Sequence, residues 1–281
     1  MVRNLYKRLS KKSFMIKESS LIRRVALCVA LIFGAIAVQA QGVSSVPLAE
    51  SSDSDLQGRF RLALEIPLAD KLKLTWSEQM RTKENFSQLD KLMSAFTLDY
   101  SPWRHLGFEG EYVFVNERKG DELWKVKHRF NLAVIGKLSV GRFDLSLRER
   151  VRFVVRSYDT DEFVTPNPFT TLRTRLKADY RNESRWKPYA YVELYHTLNA
   201  PAAVDNRFND ALEYDNYINR LRLCVGSTMK INSHNSMDFY YMVHFNRSQG
   251  AAYNDLSGDL TSRTLKKVCA HVIGIDYKFK L

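Results

Sequence analysis

The chain has 281 residues, of which 45% are hydrophobic, 12% aromatic and 26% charged, with 43 Lys and Arg against 31 Asp and Glu for a formal charge of +12. The first forty residues hold eight Lys or Arg and one Glu, so without them the formal charge is about +5, and a nucleic-acid partner loses its electrostatic basis. Three cysteines, one of them in the apolar N-terminal run, are too few for a disulfide scaffold.

The N-terminal segment is read first. Arg23 and Arg24 lead into "VALCVALIFGAIAV" (Val25 to Val38), then small residues up to Ala40. This order of basic region, short apolar core and small residues predicts a secretory signal cleaved after Ala40. The apolar run falls short of the roughly 20 residues that a spanning helix needs. Met15 is as good a start as Met1, and the choice between them stays open. Cys28 lies within the apolar core, away from any lipid-attachment position. The predicted organisation is a cleaved signal over 1–40, a polar segment over 41–56 and a single β-barrel domain over 57–281.

From Gln57 onward one pattern recurs. "RFRLALEI" alternates Phe60, Leu62, Leu64 and Ile66 with Arg59, Arg61, Ala63 and Glu65. "KLKLTW", "WKVKHRFNLAV" and "RFDLSLRERVRFVVR" repeat the alternation, as does the terminal "VIGIDYKFKL", where Ile273, Ile275, Tyr277, Phe279 and Leu281 share one face. Period-two alternation in aromatic and branched residues predicts strands throughout. Eleven runs are visible, near 57–67, 71–82, 91–101, 105–117, 123–135, 138–157, 171–181, 187–197, 216–229, 236–247 and 265–281. Short connections at "SPWRH", "GKLSVG", "RNESRWK" and "KINSHN" alternate with long polar ones at "RSYDTDEFVTPNPFTT", "NAPAAVDNRFNDALEYDN" and "RSQGAAYNDLSGDLTS".

These features predict an all-β, antiparallel transmembrane β-barrel with short periplasmic turns and longer outer loops, placed in the cell outer membrane. Bacterial single-chain barrels have even strand numbers and both termini on the periplasmic side. The expected count is therefore about twelve, with Val43 to Leu56 adding a strand or 138–157 breaking in two, and ten is the alternative. The Ser- and Asp-rich stretch after Val43 reads equally as an ordered lumenal segment or a loose periplasmic tail. Tyr100, Trp103, Trp124, Tyr180, Trp186, Tyr277 and Phe279 cluster towards strand ends, as an interfacial girdle would. Glu78 and Glu149 fall on the apolar face, which predicts a bulge, a position beyond the membrane or a shifted register. Cys224 and Cys269 fall two strands apart, roughly 10 Å at strand spacing, beyond disulfide reach.

Taken together, "SEQMRTKENFSQLDK" (Ser77 to Lys91), "LRERVRF", "YVELYHT" and "NRLRLCVG" resemble an exported bacterial family known as domain of unknown function 2490. The resemblance covers nearly all of the chain after the signal and implies an outer-membrane barrel. It implies no activity.

On the polar face, Arg148, Arg150, Arg152 and Arg156 are predicted to face Arg173, Arg175 and Lys177 on the next strand, with Arg220 and Arg222 on a later one. Crowded like charges need acidic partners or bound anions. Glu109, Glu111 and Glu193, with Asp179, Asp238 and Asp276, are the candidate partners. Two functions follow. Lumen-lining Arg148, Arg150, Arg152, Arg173, Arg175, Arg220 and Arg222 make a small pore attractive to anionic solutes, or Arg and Glu zip into a plugged barrel that acts through its outer loops. An outer-membrane lipid- or peptide-processing enzyme is the weaker third reading. The six histidines, His244 and His196 included, share no motif, and no G-x-S-x-G, H-E-x-x-H or C-x-x-C is present. No enzymatic activity, cofactor or metal is expected. The expected partners are outer-membrane lipid, small anionic solutes and the barrel-assembly machinery, which would read Tyr277, Phe279 and Leu281 as a C-terminal assembly signal.

Overall fold

A computed structural model describes residues 46–119 and 123–281. The expected signal and its cleavage point lie outside these residues. Eleven strands follow in order: β1 (Leu48–Ala69), β2 (Leu72–Lys83), β3 (Gln88–Trp103), β4 (Leu106–Lys119), β5 (Leu123–Val140), β6 (Phe143–Arg156), β7 (Phe169–Tyr180), β8 (Trp186–Pro201), β9 (Tyr214–Lys230), β10 (Asn235–Tyr253) and β11 (Leu260–Lys280). Each pairs antiparallel with its sequence neighbour, and β1 pairs with β11 to close the barrel.

The count is eleven, not the expected twelve or ten. Strands that alternate in direction leave the first and the eleventh parallel, so the closing ladder is parallel, from Leu48↔Arg263 to Glu65↔Lys280. The start of β1 and the end of β11 therefore lie at opposite ends of the barrel, unlike the first and last strands of an even-stranded barrel. Two boundaries account for the count. The run near 138–157 divides at Gly141 and Arg142, where Gly141 takes a left-handed φ of 55°, and its first residues finish β5. The polar stretch before Gln57 adds no separate strand; from Leu48 it is the leading part of β1.

That leading part is poor in strand formers, but β11 offers it a template. Lys267 reaches Glu50 at 2.6 Å and Lys266 reaches Asp53 at 3.9 Å across the ladder. The β1–β2 ladder begins only at Arg59↔Arg81, so this stretch is paired on one side only. Its Ser, Asp and Glu side chains blunt the open edge against pairing with other chains.

Connections at one end are short (70–71, 104–105, 141–142, 181–185 and 231–234), while the other end carries 157–168 and 202–213. The third expected long loop is shorter than "RSQGAAYNDLSGDLTS" suggests, because β10 continues to Tyr253 and β11 starts at Leu260. Arg207 ties these loops together. Its guanidinium donates to Asp161 at 2.6 Å and to Asp255 at 3.0 Å, and Asn206 donates to the Ser257 carbonyl and the Asp259 carboxylate. Hydrogen bonds from Ser257 and Asn206 hold that carboxyl below its ordinary range.

Polarity is inverted relative to a soluble β-barrel. Large apolar side chains stand exposed on the outside, with Leu62 at 63%, Trp103 at 64% and Leu132 at 63%. The buried side chains instead include Arg59, Arg148, Arg150, Arg173, Arg222, Glu193 and His244. At the short-turn end the exterior carries Tyr100, Trp103, Phe108, Phe143, Trp186 and Phe279, and Tyr180 packs on Phe143 at 5.4 Å. Of the aromatics expected as a girdle, Trp124 alone lies at the other end. Glu78 and Glu149 do face outward, at positions where their ladders keep regular register. Their carboxylates accept bonds from outward neighbours instead: Glu78 from the Trp76 indole and Ser94, Glu149 from Thr174.

Inside, aromatic rings lie over glycines of the adjacent strand. Tyr240 covers Gly274, and Tyr189 covers Gly226 so closely that a Cβ there would sit 2.6 Å from its hydroxyl. The absence of a side chain is what admits each ring. Gly274→Val is expected to destabilise the barrel by about 1–3 kcal/mol through overpacking, and the added change Tyr240→Ala should recover part of that loss; thermal unfolding of both variants measures it. Arg207→Ala removes two charge-assisted bonds of roughly 1.5–3 kcal/mol each before solvent discounting. Cleavage by chymotrypsin after Tyr158 or Phe163 should then quicken about tenfold while heat-modifiable gel migration of the barrel stays unchanged.

Candidate functional site

Alternation aims one side of every strand into the lumen, and closure brings those sides together around a cavity of about 530 Å³. Its lining is dominated by Arg, with Tyr189, Tyr191, Tyr195 and Tyr240 between them. Each of the seven arginines expected to line the lumen does so. In the β6–β7 ladder Arg148 lies opposite Arg175 and Arg150 opposite Arg173, which places like charges side by side.

Carboxylates from neighbouring strands relieve part of this crowding. Glu193 on β8 is 1% exposed and accepts from three guanidiniums: Arg173 at 2.8 Å, Arg222 at 2.8 Å and Arg148 at 3.2 Å. Arg222 is its direct ladder neighbour on β9, and on β7 Arg173 stands two residues from its ladder neighbour Arg175. On β4, Glu109 binds Arg150 and lies 3.6 Å from Arg148. Glu111 accepts from Arg150 at 2.9 Å and from Asn131 at 2.8 Å, and Asn131 in turn accepts from Arg152. One continuous network thus runs from β9 through β8, β7 and β6 to β4 and β5. The three expected acidic partners Glu109, Glu111 and Glu193 all stand within it.

The other three acids behave differently. Asp238 accepts from Tyr189 at 2.6 Å and from Thr228 at 2.9 Å. Asp276 approaches Arg61 at 3.9 Å, and Asp179 pairs with Lys177 at 2.6 Å. A further group at the loop end joins Glu117 to Lys91 and Lys127, with Asp90 3.7 Å from Lys91.

Of the seven expected arginines, Arg148, Arg150, Arg173 and Arg222 hold carboxylates, whereas Arg152, Arg175 and Arg220 have none within 4.0 Å among the described residues. Arg175 lies over the Tyr191 ring at 5.3 Å and Arg220 over Tyr195 at 5.0 Å. Arg173 and Arg222 flank that same Tyr195 ring at 4.5 and 4.9 Å.

Sequence reasoning singled out arginines of β6, β7 and β9 and passed over lumen cations of other strands: Arg59, Arg81 and Arg129. Arg59 and Arg129 already stand on the polar side of their alternating runs. What was lacking is the closure that sets β1, β2 and β5 around the same space as β6 to β9. The tyrosines of "PYAYVELY" follow the same period-two spacing as Glu193 and were legible in the same way.

The histidines and cysteines have other neighbours. His244 is buried beside Met242 Sδ at 2.8 Å and the Arg59 guanidinium at 3.4 Å, while Asp238 on its strand is engaged elsewhere. His196 contacts Asn216 on the outer surface. Cys224 faces the lumen, opposite Met242, and Cys269 pairs with outward Phe245. Both are free thiols on strands separated by β10. Among the described residues no group of three or more His, Cys, Asp or Glu is placed to hold a metal ion. Tyr277, Phe279 and Leu281 end the chain at the short-turn end, with Leu281 N–H donating to the Glu65 carbonyl at 3.0 Å.

Glu193→Ala leaves three buried guanidiniums without their shared carboxylate. Breaking such a set by removing one partner costs about 3–5 kcal/mol, so the unfolding temperature should fall by several degrees or the barrel should fail to assemble. Asp179→Ala, which removes one half-exposed pair, should cost under about 1 kcal/mol in the same measurement.

No curated protein and no solved structure matches the chain. A family model described as "Protein of unknown function (DUF2490)" matches residues 57–255, from β1 into the β10–β11 connection. With most of its barrel spanned by that match, the chain belongs to this family.

Proposed function

We propose that the chain is an outer-membrane β-barrel, exported by a cleaved signal, whose lumen favours the passage of small anions. The observation that carries the reading is the inversion of polarity: a continuous apolar exterior around a charged interior suits a wall facing lipid and is costly in water. Aromatics ringing the short-turn end fit the level of lipid headgroups. The unequal connections fit short periplasmic turns and longer outer loops. Outward Tyr277, Phe279 and terminal Leu281 fit a signal read by the barrel-assembly machinery. The surplus of guanidiniums over carboxylates around the cavity gives the lumen a positive potential, which draws anions and excludes cations.

A second reading keeps the barrel and the membrane but closes the path. The Glu193, Glu109 and Glu111 network fills one side of the lumen, and Arg207 ties the loops, so a plugged barrel that acts through its loops is the competitor.

Fractionation tests the location: heat-modifiable migration of the protein in purified outer membranes supports it, and a soluble periplasmic band overturns it. Planar-bilayer recording tests the path. Under a KCl gradient the reversal potential should lie on the chloride side. A folded barrel that stays silent would leave the plugged reading in place.

A further inference from the structure

The cavity treats its arginines in two ways. Five have a carboxylate within 4.0 Å, Arg61 through Asp276 among them, and Arg156 donates to the Pro166 carbonyl, while Arg59, Arg81, Arg129, Arg152, Arg175 and Arg220 line the same cavity with no carboxylate within 4.0 Å among the described residues. The protein gives these six only neutral company. Arg81 donates to Gln79 at 2.7 and 3.0 Å, Arg152 to Asn131 at 2.9 Å, and Arg129 approaches Met93 Sδ at 3.6 Å. Arg59 lies beside His244 at 3.4 Å, and Arg175 and Arg220 rest on tyrosine rings. The ladder places Arg59 directly opposite Arg81, a like-charge pair that opposes folding unless something neutralises it. Nε of Arg59, Arg175 and Arg220 is buried without an acceptor.

We propose that this cavity binds a multivalent oxyanion, a small molecule carrying two or more phosphate or carboxylate groups held by several of these arginines at once. The proposal rests on the anion-favouring lumen and names what that lumen retains. Chloride neutralises one guanidinium at a time. A polyanion meets the second and third arginine intramolecularly, at high effective concentration. Guanidinium is also the group best matched in geometry to phosphate and carboxylate oxygens. A volume of about 530 Å³ suits a small molecule rather than a polymer chain. Because the six come from β1, β2, β5, β6, β7 and β9, the ligand would brace the barrel across its interior.

The test uses protein purified from cells expressing the full chain, folded in zwitterionic detergent. Thermal unfolding and titration calorimetry are run with tripolyphosphate, with citrate and with sodium chloride at matched ionic strength. Saturable binding of tripolyphosphate, citrate or both, at least about 100-fold tighter than chloride, supports the site, and the two arms tell phosphate from carboxylate recognition. The double variant Arg129→Gln with Arg220→Gln should weaken that binding at least tenfold while keeping heat-modifiable migration. Lys280→Gln, at the strand end, should leave it unchanged. Should the double variant not fold, Arg59→Gln and Arg81→Gln tested singly give the same reading. Equal stabilisation by all three salts, or arginine variants that bind like the parent, overturns the proposal. Saturable binding by a barrel silent in bilayers would keep the site and remove the path; conductance without saturable binding would do the reverse.

Discussion

The parallel ladder between β1 and β11 is the contact on which the rest of the molecule depends. It joins the two ends of the sheet over eighteen residue pairs, from Leu48↔Arg263 to Glu65↔Lys280, so that no strand keeps an edge along its whole length. Closure satisfies the backbone donors and acceptors that an open sheet would expose. It also converts eleven alternating strands into two surfaces with opposite chemistry. Without it, Arg59 and Arg81 would lie on an open sheet at a distance from Arg220 and Arg222. With it, they line one cavity.

Charge inside the barrel follows from that geometry. A strand turns every second residue into the lumen, and several strands contribute Arg there. Cross-strand neighbours of the same sign are then unavoidable, as at Arg150↔Arg173 and Arg148↔Arg175. Glu193 resolves the conflict by sitting one strand away, where a single carboxylate touches three guanidiniums. Such a network contributes less to net stability than its distances suggest, because desolvation offsets most of the attraction. Its effect is to hold the arginines in place. Elsewhere in the cavity Arg59, Arg81, Arg129, Arg152, Arg175 and Arg220 have no carboxylate within 4.0 Å among the described residues, and it is there that the proposed oxyanion would be held.

Much of the fold was legible in the chain, since period two survives any strand arrangement. Strand type, the apolar and charged faces, and most boundaries follow from runs such as "RFRLALEI" and "VIGIDYKFKL". The failures have local causes. "SSDSD" has the composition of a loop and is strand because β11 templates it. The Gly141–Arg142 turn lies inside what reads as one long run, since a two-residue hairpin interrupts alternation for a single step. Glu78 and Glu149 look like errors of register until Ser94, Trp76 and Thr174 are seen beside them. The site was legible on β6, β7 and β9 and was missed at Arg59, Arg81 and Arg129, which only closure sets around the same cavity.

By itself the sequence determined the strand period, the division into an apolar and a charged face, and membership of a family, because all three are properties of local order along the chain. The tertiary structure alone decided the strand count, the parallel closure, and which arginines receive a carboxylate and which face the cavity without one. Those depend on register between strands, and a ladder pairs residues as far apart as Glu65 and Lys280 through hydrogen bonds that carry no mark in the sequence between them.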